Sequence, residues 1–252
     1  MTADPLAPLM ELPGVAEASD RARDALGRAH RHRANLRGWP VTAAEAALRA
    51  ARASSVLDGG PVRLDDLAEA AQVGDPIFGG ALRVAQALEG GEGLLVGIWR
   101  RAPLQALARL HMLAAADQVS DDLLGRPRAD AGVGPRLELL ADLVTGGTRA
   151  PAPVVAAVAH GELLTLKPFG SADGVVARAV SRLVTIARGL DPHGLGVPEV
   201  SWMRQPAEYR DAARGFADGT PDGVRTWLVL CCRAMRTGAQ EAVSIADALS
   251  SR

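Results

Sequence analysis

The residues best suited to chemistry lie in one short stretch, residues 166–178, which reads LKPFGSADGVVAR and contains Lys167, the only lysine of the chain. The pattern predicts the end of one helix, a tight turn of small residues and the start of a second helix. A helix N-terminus presents unpaired N–H groups and a partial positive charge, which suit a phosphate. Gly170 and Gly174 allow a close approach of the backbone, and Arg178 lies one turn into the second helix. These features predict an anion pocket.

Helices must position this stretch, because apolar residues recur mostly at helical spacing and alternating, strand-like runs are scarce. Thr42 and Glu45 fit a capping box at the start of the first long helix. A turn-rich loop at 125–134 is the place for a short β-hairpin flap. The predicted helices cover residues 41–56, 63–73, 78–88, 95–116 with an interruption near Pro103, 135–144, 153–166, 173–190, 209–216, 222–237 and 239–249. We therefore expect an all-α fold.

Composition narrows the class of protein. The 252 residues are 48% hydrophobic and 23% charged, with a formal net charge of -1, which gives no general attraction to nucleic acid or to an anionic membrane. No apolar run reaches the roughly 18 residues that a membrane-spanning helix needs. The two cysteines, Cys231 and Cys232, are adjacent, which excludes a disulfide framework and leaves too few thiols for a zinc site. Arginine almost replaces lysine, as in GC-rich bacterial genomes, and we expect a cytoplasmic bacterial protein.

The first 40 residues are interpreted as an N-terminal arm or helix, ahead of a main domain over 41–240 and a C-terminal helix or tail over 241–252. A solvated surface helix and a docking site for an acidic partner both account for the charge of this arm. A helix-turn-helix would need a second helix to read DNA bases, and the sequence offers none. The cationic and titratable residues of the arm are Arg21, Arg23, Arg28, His30, Arg31, His32, Arg33 and Arg37.

The stretch around Lys167 resembles the motif of Fic-domain proteins, which reads His-Pro-Phe, any residue, Asp or Glu, Gly-Asn-Gly-Arg, two further residues and Arg. Four positions match this motif, namely Pro168, Phe169, Gly174 and Arg178. Five positions depart from it. Lys167 replaces the catalytic histidine, Ser171 replaces the magnesium-binding acid, and Ala172 replaces the first glycine. Asp173 replaces the asparagine and Val175 replaces the first arginine. The copy of the motif is therefore degenerate.

Flanking segments extend the resemblance from about residue 42 to residue 237. The segment SSVLDG, from Ser54 to Gly59, is similar to the family's inhibitory-helix motif Ser/Thr-x-x-x-Glu-Gly, with Asp58 for the glutamate. The resemblance implies a Fic-like helical domain with an inhibitory-type helix near 42–59, in which Asp58 approaches Arg178. Weaker similarities lie in the helices on either side of the motif and in the segments that lead into the family's flap, at Ala156, His160, Leu163, Tyr209, Gly219, Trp227, Leu228, Leu110, His111 and residues 125–128.

The resemblance also implies a chemistry. In active family members the histidine is the general base for transfer of AMP to a protein hydroxyl, and the acid holds magnesium. Here Ser171 lacks the charge that holds Mg2+, Val175 offers no donor, and a lysine is ordinarily a cation at neutral pH. The implied protein is a pseudoenzyme that binds a ligand, such as a nucleotide or another phosphorylated small molecule, or a protein. The implied anion-binding residues are Phe169, Gly170, Ser171, Asp173, Gly174 and Arg178, and the inhibitory-type residues are Ser54, Asp58 and Gly59.

Two alternatives stay open. A transferase with altered chemistry would use Lys167 as a base, a nucleophile or a phosphate clamp on a nucleotide or other phosphorylated donor. A relic fold would serve as a module for a protein partner or for homo-oligomerisation. His111 and His160, on apolar helices, are expected to be satisfied core residues rather than bases.

Overall fold

Twelve α-helices make up the regular structure of residues 3–60, 74–91 and 93–250, which are the residues described in a computed structural model of the chain. The expected all-α fold is confirmed, and no strand occurs in the described residues. The helices are α1 (Ala7–Met10), α2 (Val15–Arg31), α3 (Asn35–Leu57), α4 (Pro76–Leu88), α5 (Leu94–Arg101), α6 (Pro103–Ala115), α7 (Val133–Asp142), α8 (Ala152–Leu166), α9 (Asp173–Ala187), α10 (Pro198–Arg204), α11 (Pro206–Ala217) and α12 (Pro221–Ser250). A single π-helical turn, Leu143–Gly147, follows α7.

Helices α8 and α9, which flank the turn of small residues, form the centre of the core. Helix α8 is apolar around most of its circumference, as is typical of a helix enclosed by other helices, and Glu162 is its one charged residue. Helix α9 is buried along nearly its whole length. They pack on each other, and α3, α4, α6, α11 and α12 surround them. The turn between them is therefore held at both ends by buried helices.

Helix α3 begins earlier than the sequence predicts, so the expected capping box is wrong. Thr42 lies inside the helix, where its hydroxyl donates to Asn35 Oδ1 at 2.8 Å, and Glu45 accepts from Arg49 at 2.7 Å. Asn35 in turn donates to the carbonyl of Ala29 at 2.8 Å. Pro40 near the start of the helix removes one backbone hydrogen bond and does not end the helix.

Helix α12 is one continuous element, where the sequence predicts two helices that meet at Gly238. This glycine has a packing role: a Cβ there would lie 2.6 Å from the nitrogen of Pro198 and the carbonyl carbon of Val197. The Gly238 carbonyl also accepts from the N–H of Val197 at 3.3 Å. The residue allows α12 to pass close to the start of α10, a short helix that the sequence pattern did not predict.

The other predicted helices within the described residues occur with ends displaced by at most three residues, and the helix predicted at 63–73 lies outside the described residues. The expected hairpin flap at 125–134 is wrong as regular structure. Residues 125–132 form a loop and α7 begins at Val133. The N–H of Arg128 in this loop donates to the carbonyl of Pro168 at 2.7 Å. The proline and glycines of the segment favour turns over a ladder of paired strands.

Helix α2 lies along α12 and buries its small apolar face, which includes Val15, Ala22 and Leu26. His30 at its end bonds to Asp191 at 2.8 Å. Residue 40 lies inside α3 and residue 240 lies inside α12, so each predicted domain boundary falls within a helix. The division of the chain into an arm, a main domain and a tail stays a prediction. In the described part of the chain, no helix combines the length and the apolar character needed to cross a membrane.

Candidate functional site

A cavity of about 640 Å3 lies between the turn that joins α8 to α9, the C-terminal end of α3 and one face of α11. Most of the predicted site residues line it. They are Asp58, Lys167, Gly170, Ser171, Asp173, Gly174 and Arg178. Three do not: Phe169 is buried behind the turn, Ser54 lies within α3, and Gly59 follows the end of α3 with φ +97°.

The predicted approach of Asp58 and Arg178 is observed. The guanidinium Nη2 of Arg178 lies 2.8 Å from Asp58 Oδ1, and the arginine side chain is only 1% exposed. The same guanidinium donates from Nε to Ser54 Oγ at 2.8 Å and from Nη2 to the Ser54 carbonyl at 3.0 Å. Burial alone would lower the pKa of Arg178, but Asp58 and Tyr209, through charge and hydrogen bonding, together outweigh it and raise this pKa above its ordinary value. Arg178 is thus a permanent cation, tied to the end of α3.

The carboxylate of Asp58 also lies against Gly174, in the first turn of α9. A Cβ at position 174 would collide with both carboxylate oxygens of Asp58. The glycine therefore lets an acidic side chain reach the N-terminal end of α9, where the helix dipole favours negative charge. The position at which the sequence predicts an anion is occupied by the chain's own carboxylate.

A buried hydrogen-bonded chain joins Arg178 to Tyr209, which also lines the cavity, and to His160 in the core. The Nη1 of Arg178 donates to the hydroxyl of Tyr209 at 3.5 Å, and this hydroxyl lies 2.9 Å from His160 Nε2. Because Tyr209 accepts from an arginine, its own proton is free to go to the histidine. Burial, and then the charge of Arg178, lower the pKa of His160 well below its ordinary value. His160 is therefore a neutral core residue enclosed by Trp202 and Trp227, as expected, but it is not fully satisfied, because its buried Nδ1 has no hydrogen-bond partner among the described residues.

The backbone of the turn has two residues other than glycine with positive φ, Lys167 at 48° and Ala172 at 50°. Arg128 holds one end: its guanidinium donates to the carbonyls of Leu166 and Lys167 at 3.1 and 2.9 Å. These are carbonyls at the end of α8, which have no partner within the helix. Arg128 therefore fixes the backbone from which the exposed Lys167 side chain extends.

His111 of α6 supports the turn from below. Its ring is fully buried and stacks on Phe169, with centroids 4.1 Å apart and planes 6° from parallel. The N–H of Gly125 donates to His111 Nδ1 at 2.9 Å, and His111 Nε2 lies 3.0 Å from Ser171 Oγ. Burial lowers the pKa of His111. The neutral ring therefore carries its proton on Nε2 and donates it to Ser171, so it cannot act as a base on that hydroxyl.

Asp173 has a structural function in the turn. Its Oδ1 accepts from the N–H of Phe169 at 2.9 Å, which closes the turn on itself. Burial raises the pKa of Asp173, although the hydrogen bonds from Phe169 and Gly170 and the charge of Arg128 oppose the rise. The predicted anion-binding residue thus carries a carboxylate that binds the backbone of the same loop.

The sequence matches no protein-family model and no curated protein. The structure superposes on the crystal structure of a Fic family protein from Desulfovibrio desulfuricans G20 with a TM-score of 0.69. The two chains are 20% identical, and the superposition covers 92% of this chain and 74% of the other. The chain has a Fic-like fold. At this identity the comparison concerns the fold alone.

The site of this Fic-like fold does not fit a magnesium ion held at position 171. The side chain there is a hydroxyl bonded to His111, and hydroxyls hold Mg2+ far less well than carboxylates do. The two carboxylates that line the cavity have other partners, because Asp58 pairs with Arg178 and Asp173 accepts from Phe169. The side chains around the turn are therefore committed to one another and do not form a set of magnesium ligands.

Sequence reasoning missed two cations of the cavity, Arg210 and Arg214 of α11. They lie four residues apart and so share one face of the helix. Arg214 pairs with Asp211, whereas no ion pair joins Arg210 to another described residue. Their helical spacing directly after Tyr209 is the signal that could have revealed them. His111 and residues 125–128 carry only a weak resemblance, and nothing local in the sequence predicts that the side chains of His111 and Arg128 contact the turn.

Proposed function

We propose that this chain binds a phosphorylated small molecule, a nucleotide being the leading class, and that it does not carry out standard AMP transfer. The carrying observation is the charge of the cavity, which is lined by four cationic and two anionic side chains, a net charge of +2. Both anionic side chains already have partners. Lys167 and Arg210 have no ion-pair partner among the described residues and remain for a ligand. A phosphate, which accepts hydrogen bonds and carries charge, fits this balance.

The departures from the family motif argue against AMP transfer. Lys167 is exposed at the mouth of the cavity, which suits an ammonium that binds an anion better than an amine that must lose its proton. Val175 is a buried apolar residue where the resemblance implies an arginine. Removal of a single electrostatic contact to the transition state typically costs a factor of about 100 to 1,000 in rate. Together with Ser171, three such functions have changed.

Asp58 would regulate the binding of such a ligand. Its carboxylate competes for the N-terminal end of α9 and for Arg178, which is where an incoming phosphate would gain most. The side chain is 26% exposed, so it can move away without unfolding the core. A ligand therefore binds more weakly than the cavity alone would permit, by the free energy needed to separate Asp58 from Arg178.

The second candidate is a transferase in which Lys167 acts on a phosphorylated donor. This candidate is supported by the position of Lys167 in the cavity lining, from which its side chain can reach a bound donor. The two functions differ in one measurable outcome: transfer leaves a covalent group on a protein, whereas binding leaves the masses unchanged. Docking of a protein partner and homo-oligomerisation stay predictions, as does a cytoplasmic location.

Thermal unfolding with a panel of nucleotides and phosphorylated metabolites, with and without Mg2+, tests the proposal. A ligand present at 100 times its Kd stabilises the fold by about 2.7 kcal/mol. We expect a hit whose effect falls in Lys167→Ala and persists in Arg225→Ala, a control at an exposed arginine that pairs with Asp222. The absence of any hit, also in Asp58→Asn, would contradict ligand binding. A mass increase on the chain or on added protein would favour the transferase.

A further inference from the structure

The hydroxyl of Ser171 has its hydrogen-bonding direction determined by the residues behind it. Gly125 donates its N–H to His111 Nδ1, so the proton of the neutral ring is on Nε2 and is donated to Ser171 Oγ. A serine that accepts a hydrogen bond from a ring N–H still has its own proton to donate. Ser171 lines the cavity, so this proton is available to a ligand.

We propose that the cavity recognises a phosphate group directly, without a metal ion, through the Ser171 hydroxyl as hydrogen-bond donor and Lys167 as counter-charge. This inference rests on the proposed function and deepens it, because it names the chemistry by which the phosphate is held. An acid at position 171 would repel a phosphate unless a cation lay between them. A serine oriented by His111 reverses this requirement, since phosphate oxygens only accept hydrogen bonds.

The charges of the cavity support direct recognition. Metal coordination would need Asp58 or Asp173, and each would first have to leave Arg178 or the N–H of Phe169. Lys167 needs no such exchange, as its ammonium has no ion-pair partner in the part of the chain that the structure describes. Its backbone is held by Arg128, so an anion has to order only the side chain. The ammonium of Lys167 is therefore available to an anion as the fold stands, whereas neither Asp58 nor Asp173 is available to a metal ion.

His111 is a positioning residue in this arrangement. The ring is held on three sides, by the stacking contact with Phe169, by the N–H of Gly125 and by Ser171. An isolated serine hydroxyl rotates freely, whereas this one has one of its two acceptor lone pairs occupied from the buried side by His111. The apolar part of the lining, which includes Leu57, Ile77 and Leu164, then accommodates the organic part of a phosphate ester.

Calorimetric titration with ADP and with inorganic pyrophosphate tests the inference, in EDTA and in excess Mg2+, on the natural chain and on Asp58→Asn. We expect Kd values that agree within about twofold with and without Mg2+. Ser171→Ala should weaken binding about tenfold, as loss of a hydrogen bond to a charged group does. Ser244→Ala, at an exposed serine of α12, is the matched control and should leave Kd unchanged. Pyrophosphate binding would assign recognition to the phosphates, and tighter ADP binding would show a contribution from the nucleoside.

Two further variants separate the donor from mere packing. Ser171→Asp should abolish binding in EDTA, and addition of Mg2+ should restore part of the binding to this variant. His111→Gln, which keeps an N–H near Nε2, should retain more affinity than His111→Phe, which keeps only the stacking. Binding that requires Mg2+ in the natural chain, or that Ser171→Ala leaves intact, would overturn direct recognition while the proposed function stands. No binding of either probe to the natural chain or Asp58→Asn would overturn both.

Discussion

Asp58, at the end of α3, and Arg178, one turn into α9, form an ion pair of 2.8 Å in which the acid is partly exposed and the arginine is fully enclosed. The pair joins two segments that are far apart in the sequence. It places the Asp58 carboxylate against Gly174, at the N-terminal end of α9. Because Arg178 also binds Ser54 through two hydrogen bonds, its charge stays solvated by protein groups when Asp58 leaves. The pair can therefore open without exposing the arginine to an apolar environment.

The first prediction concerns Asp58→Asn, which keeps the shape of the side chain and removes its charge. We expect the free energy of unfolding to fall by about 2 kcal/mol, less than for a fully buried pair because Ser54 remains bonded to the arginine. The affinity for ADP should rise at the same time, since the competing carboxylate is gone. Chemical denaturation and calorimetric titration measure the two changes.

Asp20→Asn is the matched control for this charge removal. Asp20 pairs with Arg23 on the exposed face of α2, away from the cavity, and exposed pairs contribute about 0 to 1 kcal/mol. A loss of stability as large in Asp20→Asn as in Asp58→Asn would show that the buried arginine has no special need for its partner. An unchanged ADP affinity in Asp58→Asn would contradict the competition.

The second prediction is a loss of stability in mild acid. Burial lowers the pKa of His111 and His160, and burial with the charge of His30 lowers that of His193. A histidine with a depressed pKa in the fold contributes stability that is present above its unfolded pKa, about 6.5, and is lost as the pH falls below that value. We expect the free energy of unfolding, measured by denaturant titration, to decrease from pH 7.5 to pH 5.5.

His160→Gln isolates one part of this pH dependence. Burial raises the pKa of Glu199 and of Asp173, and a raised acid acts in the opposite direction, so the total slope is a difference of terms. The variant should lose stability at pH 7.5 and also show a weaker pH dependence than the natural chain. One proton corresponds to at most about 1.4 kcal/mol per pH unit. Parallel curves for the two chains would contradict a neutral His160.

The approach of Asp58 to Arg178 could be predicted because each residue lies in a short segment that resembles a known motif. The helices on either side of the turn could be predicted from apolar spacing and from the small residues between them. The contact of His111 with Ser171 could not, because it depends on how α6 packs below the turn, and neither segment carries a local signal of that packing. The contacts of Arg128 with the end of α8 could not be predicted for the same reason, because nothing in its segment indicates which carbonyls its guanidinium contacts.

The third prediction concerns the backbone at Ala172, whose φ of 50° lies in the left-handed region. An L-residue with a side chain pays roughly 1 to 2 kcal/mol there, and glycine loses about 0.5 to 1 kcal/mol through its greater freedom when unfolded. Ala172→Gly should therefore stabilise the fold by about 0.5 kcal/mol. Ala44→Gly, at an exposed site within α3, should destabilise it by about 1 kcal/mol. Equal losses in both variants would show that the turn relaxes without strain.

The fourth prediction contrasts two helical glycines. Gly238→Ala would place a Cβ 2.6 Å from the backbone of Val197 and Pro198, and backbone atoms cannot move aside as a side-chain end can. We expect a loss of about 2 kcal/mol or more, from overpacking between α12 and α10. Gly97→Ala, where only the guanidinium of Arg101 lies near, should instead gain up to about 1 kcal/mol through helix propensity. Denaturant titration of both variants decides the matter, because a stable Gly238→Ala protein would mean that α12 breaks at this residue after all.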